Sequence, residues 1–374
     1  AVLVRFQHEM ESQMNPRILF FCMFVMLVIG SMSVVNEEND ISVSNQRQTN
    51  NFKPAYTIHN PIDITSDADF ETQGWSGNGS KDNPYLIQGL NITSEDVCID
   101  IGGTSAHYKI KNCFISSPGF TSRPGIFLHS APNGTVQDCV IKKHQSNLYI
   151  ANSPNTFVRN NTISEAGIYG VRIFQGNNCS IVNNTISNNT QFGIYGYSMS
   201  NFTIANNTLE NNGLAFSAEY EIEYWISHDI SDNTVNGKEL AFLKSVNNTE
   251  IDASTHGQTI LVNCNNVTLM NGTYNNASRG IQFAFCTNAT IRNNTAIASQ
   301  CGIFQHFSHG SYVINNTARL NKIGFDLSSQ NSTASNNTAL ENQYGMNLDL
   351  DYSTISHNIA NDNSKRKIAF TIRT

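Results

Sequence analysis

The chain has 374 residues, a formal net charge of -7 and only 14% charged residues, with no basic stripe. That balance excludes a nucleic acid as partner. There is no 3.6-residue apolar stripe and no recurrent leucine ladder, which excludes helical and leucine-rich solenoids.

Residues 1–13 carry neither an initiating Met nor an apolar pattern and read as an upstream extension. Met14-Asn-Pro-Arg17 reads as a start with a basic flank, and Ile18 to Ile29 is an apolar run of twelve. Twelve is short for a membrane span and suits a signal-peptide core, so 14–35 is expected to be a signal peptide. An uncleaved anchor is the alternative and the one route to a membrane. Either places the rest outside the cytoplasm. Residues 36–55 are polar, with an acidic Glu37-Glu38-Asn-Asp40 cluster, and read as a linker.

Residues 56–96 begin with strand-like Tyr56-Thr-Ile58 and Ile62-Asp-Ile64. Asp69 to Thr93 then brings Gly-rich turns, Trp75 and a strand at Tyr85 to Ile87. This segment is expected to cap an open sheet end. From 97 to 363 one unit repeats. Its marker is the Asn before Thr in Asn-Asn-Thr, at Asn161, Asn184, Asn207, Asn294, Asn316 and Asn337, with steps of 23, 23, 22 and 21 residues between neighbours. Cys113, Cys139, Asn233, Gly272 and Asn358 extend the phase to about eleven copies, with one long interval between Asn233 and Gly272. Each unit holds short runs rich in Ile, Val, Thr, Phe and Tyr, broken by Asn, Gly and Ser. The pattern predicts an all-β, single-stranded right-handed parallel β-helix of about eleven coils. An inward Asn column would pass amide hydrogen bonds between coils, with Ile163, Ile186, Leu209 and Val235 filling the interior beside it. Residues 215–259 break the period. Val-Asn-Gly-Lys at 235–238 predicts a hairpin-like insertion or a widened coil on one face. Residues 364–374 form a basic tail, as if the chain were truncated.

Eight cysteines less Cys22 leave seven, an odd number. Cys113 and Cys139 take the Asn position in successive coils, and Cys264 and Cys286 share a phase with Ser308 and Ser329. Each pair reads as a coil-to-coil disulfide or as stacked buried thiols. No C-x-x-C and no Cys/His spacing marks a metal set. Of roughly eighteen Asn-x-Ser/Thr sequons, most are by-products of the corner triplet. Asn91, Asn133 and Asn331 lie outside it and are the better glycosylation candidates.

Aligning coils at Gly280, Gly302, Gly324 and Gly345 sends Ile281, Ile303, Phe325 and Met346 inward. Gln282, Phe304, Asp326 and Asn347 then point out, as do Ala284, His306, Ser328 and Asp349. His306, Asp326 and Asp349, with Asp351 beyond, form the best polar constellation. They are the catalytic candidates if the chain is a polysaccharide lyase, hydrolase or epimerase. Tyr169 and Tyr195, read as in phase, are candidates for a sugar-stacking platform.

Two stretches carry a resemblance: the cap segment DFETQGWSGNGSKDNPYLIQGLNIT, and NTVNGKELAFLKSVNN followed by GQTILVNCNNVTL. Both resemble the NosD-type β-helix proteins, named for a periplasmic copper-binding protein of nitrous oxide reductase maturation, and the related archaeal surface proteins. The wider group includes carbohydrate-binding proteins and sugar hydrolases. The resemblance implies the parallel β-helix, a glycan or other surface component as partner, and calcium or copper as cofactor. Copper finds no Met-rich or His-rich tract here, and the residues themselves identify no cofactor. The leading expectation is a secreted or surface binding protein without turnover. Polysaccharide processing and a copper-centre accessory are the alternatives.

Overall fold

A computed structural model describes residues 56–217 and 220–370. The readings of 1–13 as an extension, 14–35 as a signal and 36–55 as a linker lie outside the described residues. The fold is an all-β right-handed parallel solenoid of about 13 turns, slightly more than the eleven expected. The extra turns are coils whose corners lack the Asn marker.

Each coil has three faces. Tyr169–Phe174 runs along the first, Ser180–Val182 along the second and Thr185–Ser187 along the third. Each strand pairs in parallel with its counterpart one coil on, as Ile163 does with Ile186 and Ile186 with Leu209. Inward Ile and Val stack into continuous columns, such as Ile110, Val136, Val158, Ile181 and Ile204, all buried. Burying each such side chain contributes roughly 1.5–3 kcal/mol.

The two asparagines of each triplet do different work. The first turns the corner in the left-handed region: Asn160, Asn183, Asn206, Asn293, Asn315 and Asn336 have φ between 55° and 58°. Asn tolerates this conformation better than most residues. The second is buried and forms the ladder. Asn184 Oδ1 accepts the Asn161 N–H at 2.9 Å and its Nδ2 at 3.0 Å. Asn184 Nδ2 donates to Val158 O at 3.0 Å and to Asn207 Oδ1 at 3.0 Å. Cys139 N–H donates to Asn161 Oδ1 at 2.9 Å, so the cysteines extend this column. A second ladder, absent from the sequence reading, runs through Asn189 and Asn212 and through Asn321, Asn342 and Asn363.

Between Ile62–Ile64 and Tyr85–Gln88 of the first coil lies α1 (Asp67–Thr72), whose buried Phe70 stacks on Tyr85 with ring centroids 4.5 Å apart. Asp67 fixes the helix to the coil below, accepting from Thr104 Oγ1, from Ser105 N–H at 3.0 Å and from Ala106 N–H at 3.2 Å.

The interval at 215–259 joins two stacks. The expected hairpin is present. Thr234–Val235 pairs antiparallel with Lys238–Lys244 across Asn236-Gly237, both at positive φ. Lys238–Lys244 then pairs in parallel with His256–Val262. The third face of the seven-coil first stack thereby joins the first face of the second stack in one 15-stranded sheet.

This leaves Leu214–Ser217 with an unpaired edge inside the protein. Buried side chains satisfy it. Gln258 accepts from Leu214 N–H at 2.9 Å and donates to Leu214 O at 2.6 Å. Ser278 Oγ bonds Gly213 N–H and O, each at 2.9 Å. Arg279 Nη1 donates to Phe216 O at 2.5 Å, with its guanidinium 3.6 Å from the Phe304 ring centroid. An unpaired buried backbone group would cost about 1–3 kcal/mol, so these residues hold the joint.

Buried histidines couple the fold to pH. His228 accepts Phe202 N–H at Nδ1 (3.3 Å) and lies 3.1 Å through Nε2 from Tyr224 O, which selects the neutral Nε2–H form. Burial pulls His144 and His228 down to about 4. Unfolded, each titrates near ~6.5, so the unfolded chain binds more protons between those values. Their contribution is complete above ~6.5 and is lost as pH falls toward 4.

Two outcomes follow. Asn184→Ala should lower stability by about 3 kcal/mol or more in urea unfolding, because several buried groups lose partners at once. Asn183→Gly should change it by under about 1 kcal/mol, since only the left-handed corner must be kept. Equal effects would contradict the division of labour. The thermal midpoint should fall steadily from pH 6.5 to 4.5, and a flat profile would contradict the neutral buried histidines.

Candidate functional site

In the second stack the register follows the predicted rows. Gln282, Phe304, Asp326 and Asn347 pair in succession, as do Ala284, His306, Ser328 and Asp349. His306 and Asp349 share one row two coils apart, and Asp326 lies in the neighbouring row of the same face, accepting from Asn347 Nδ2 at 2.7 Å. His306 also packs in an aromatic cluster, its ring 5.3 Å from Trp225 and 4.3 Å from Phe307. A hollow of about 80 Å³ beside it is lined by Tyr220, Phe307, His309, Asp349 and Asp351 but by neither His306 nor Asp326. Gln282 and Ala284, expected outward, are buried. Gln282 Oε1 is taken up at the junction, 3.4 Å from Phe216 N.

The first face of the first stack carries a stronger arrangement. Its central outward row is Asp63, Asp100, Phe127, Tyr149, Arg172 and Tyr195. Arg172 lies 4.5 Å over the Tyr149 ring and 5.3 Å over Tyr169. Phe127 stacks on Tyr149 at 4.9 Å and Phe174 on Tyr197 at 5.4 Å. Tyr169 and Tyr195 do touch, with centroids 5.2 Å apart, but not in phase: Tyr169 pairs with Phe192, and Tyr195 with Arg172. The 26-residue offset between them is not the coil step, which here is 23. Stepping 23 back from Tyr195 to Arg172 and Tyr149 would have found the missed row. Burial raises the Tyr169 hydroxyl above its ordinary range, so this phenol stays a neutral donor.

At one end of this strip His129 Nε2 lies 3.1 Å from Asp100 Oδ1. Gly102 makes the space, since a Cβ there would fall 2.1 Å from the imidazole. Burial pushes the Asp100 carboxyl up, and His129 opposes that shift. Flat half-buried rings, a cation between them and a carboxylate–imidazole pair can stack sugar rings and bond their hydroxyls.

The seven described cysteines are buried free thiols. Cys113 N lies 3.5 Å from Cys139 Sγ. In the other pair, the hydrogen bond with Cys286 pulls Cys264 down to about 7, and the same contact pushes Cys286 up. Asn91 and Asn133 are half-buried and Asn331 is exposed. Among the described residues no three His, Cys, Asp or Glu side chains gather to hold a metal ion. The buried thiols bond backbone carbonyls. This donor set does not fit a copper centre.

Two family models match. One, described as "Right handed beta helix region", covers residues 76–240, and the other, "Periplasmic copper-binding protein (NosD)", covers 228–374. No curated protein matches the sequence. Among solved structures, the Agl-KA catalytic domain is 13% identical with a TM-score of 0.39, over 84% of this chain and 61% of that one, so the chain spans under two thirds of it. The AlgE4 A-module, a mannuronan C-5 epimerase of Azotobacter vinelandii, is 12% identical with a TM-score of 0.32, over 84% and 91%. PfbA, a surface adhesin of Streptococcus pneumoniae, is 12% identical with a TM-score of 0.34, over 72% and 79%. At these identities and scores the likeness says nothing about activity. The two family matches, which overlap at residues 228–240 near the junction between the stacks, support a NosD-type right-handed β-helix family for this chain.

Proposed function

We propose that this is an extracytoplasmic β-helix protein that binds glycan on the first face of its first stack, without turnover. The observation that carries the reading is the strip of Phe127, Tyr149, Arg172 and Tyr195, one residue per coil, with Tyr169 diagonal to it. Coils repeat at roughly 4.8 Å, so successive rings present a flat, half-apolar track along which a saccharide chain can lie. The family's description as periplasmic supports the placement, as does the apolar stretch Ile18 to Ile29. No described helix is long and apolar enough to cross a membrane.

A second reading, a glycan-processing enzyme, is favoured by one feature. The Asp100–His129 pair sits at the end of this strip. In that reading the pair, not the second stack, moves the proton.

A glycan array with product analysis separates the two. Intact ligand should be retained, and Tyr149→Ala with Tyr195→Ala should weaken binding about fivefold or more, from about 0.5–1.5 kcal/mol per ring contact. Unchanged binding in the double variant would overturn the proposal. Cleaved or epimerised product that disappears in Asp100→Asn would establish the second reading instead.

A further inference from the structure

The second face of the first stack carries a different surface. Its outward rows are Leu86, Lys109, Thr135, Phe157 and Ser180, and beside it Gln88, Lys111, Gln137, Arg159 and Val182. Over these rows runs a groove of about 420 Å³, with Lys109, Phe157 and Arg159 on the sheet and Lys81, His107 and Asn133 among its walls. From the groove and the same face, Lys81, Lys109, Lys111 and Arg159 gather four cations in a protein of net charge -7. Among the described residues none of the four forms an ion pair with a carboxylate. Asp138, the nearby acid, is occupied by Gln137 Nε2 at 2.9 Å and Asn160 Nδ2 at 3.4 Å.

Arg159 is held ready. Its Nε and Nη2 donate to Gln137 Oε1 at 3.1 and 2.7 Å, which fixes the guanidinium plane and leaves its other N–H donors outward. Phe157 is 49% exposed, two positions from Arg159 on the same strand, with Thr135 and Ser180 beside it in its own row. A bare ring near unpaired cations suits a ligand with both an apolar face and negative charge.

We infer that this groove, with Lys111 in the row beside it, binds an anionic polysaccharide, Lys109, Lys111 and Arg159 taking its carboxylates or sulfates and Phe157 stacking on a sugar ring. Spacing supports a linear chain along the solenoid axis. Lys111 and Arg159 lie two coils apart in one row, roughly 10 Å. In an extended two-fold saccharide ribbon every second unit presents its charged group to the same side. Arg offers the bidentate geometry that a carboxylate or sulfate matches. A nucleic acid fits less well, since one exposed ring and an acidic chain give neither a stacking series nor a long basic track. The site stands whether or not the aromatic strip of the first face binds sugar.

Asn133 lines this groove and is also a sequon, so the test uses full chain produced without N-glycans. Affinity for polygalacturonate, dextran sulfate, neutral dextran and a single-stranded DNA is measured from low to high salt. Polygalacturonate or dextran sulfate should bind, whichever is tighter naming the charged group, and binding should weaken with salt. Neutral dextran should not bind the groove. Lys109→Gln with Arg159→Gln should cost tenfold or more at an unchanged thermal midpoint, and Phe157→Ala should weaken binding without changing the salt slope. Lys322→Gln, an exposed cation of the second stack, should leave polyanion binding intact. Undiminished binding in the double variant, loss in Lys322→Gln, or DNA bound as tightly as either polysaccharide would each overturn the assignment.

Discussion

The corner amide is the constraint on which the rest depends. A coil of three short strands must turn three times, and each turn leaves backbone groups that no strand can pair. In the Asn-Asn-Thr corner, one asparagine adopts the left-handed conformation and the next inserts its side chain. The inserted amide accepts from the coil before it and donates to the coil after it. Its reach is fixed by the strand spacing, so the corner can recur only once per coil. Identical residues therefore stack, and a one-coil error in register would orphan several buried groups at once.

That interior rule frees the outward rows. Because each outward position repeats once per coil, a surface is written as a row. Aromatic rings and one arginine make such a row on the first face of the first stack, and cations with a single ring make another on the second face. The second stack begins differently. Its first face is partly consumed by the junction, where Gln258, Ser278 and Arg279 complete the edge of Leu214–Ser217. His306 is drawn into the same region by Trp225. The stretch that broke the repeat in sequence is thus the mechanical joint of the molecule.

Most of the architecture was legible because the period is literal. Asn161, Asn184 and Asn207 announce both the coil length and the inward column, and the glycines at 280, 302, 324 and 345 gave the correct register for the second stack. What failed, failed for physical reasons. The words Gly-Ile-Tyr-Gly at 167–170 and 193–196 look like one position in two coils, but Gly170 lies beside Gly193, and the phrase has slipped by three residues. The junction was illegible because a glutamine that closes a distant strand edge leaves no local pattern. Shared phase placed His306, Asp326 and Asp349 on one face, but phase does not say which rings will crowd a histidine.

The central claim is that function resides on the outward rows of the first stack. A crystal structure with a bound oligosaccharide tests it most directly. The account predicts saccharide rings seated along Tyr149, Arg172 and Tyr195, or along Lys109, Phe157 and Arg159 for an anionic chain. Saccharide seated instead against His306, Asp349 and Asp351, with both rows of the first stack bare, would contradict it.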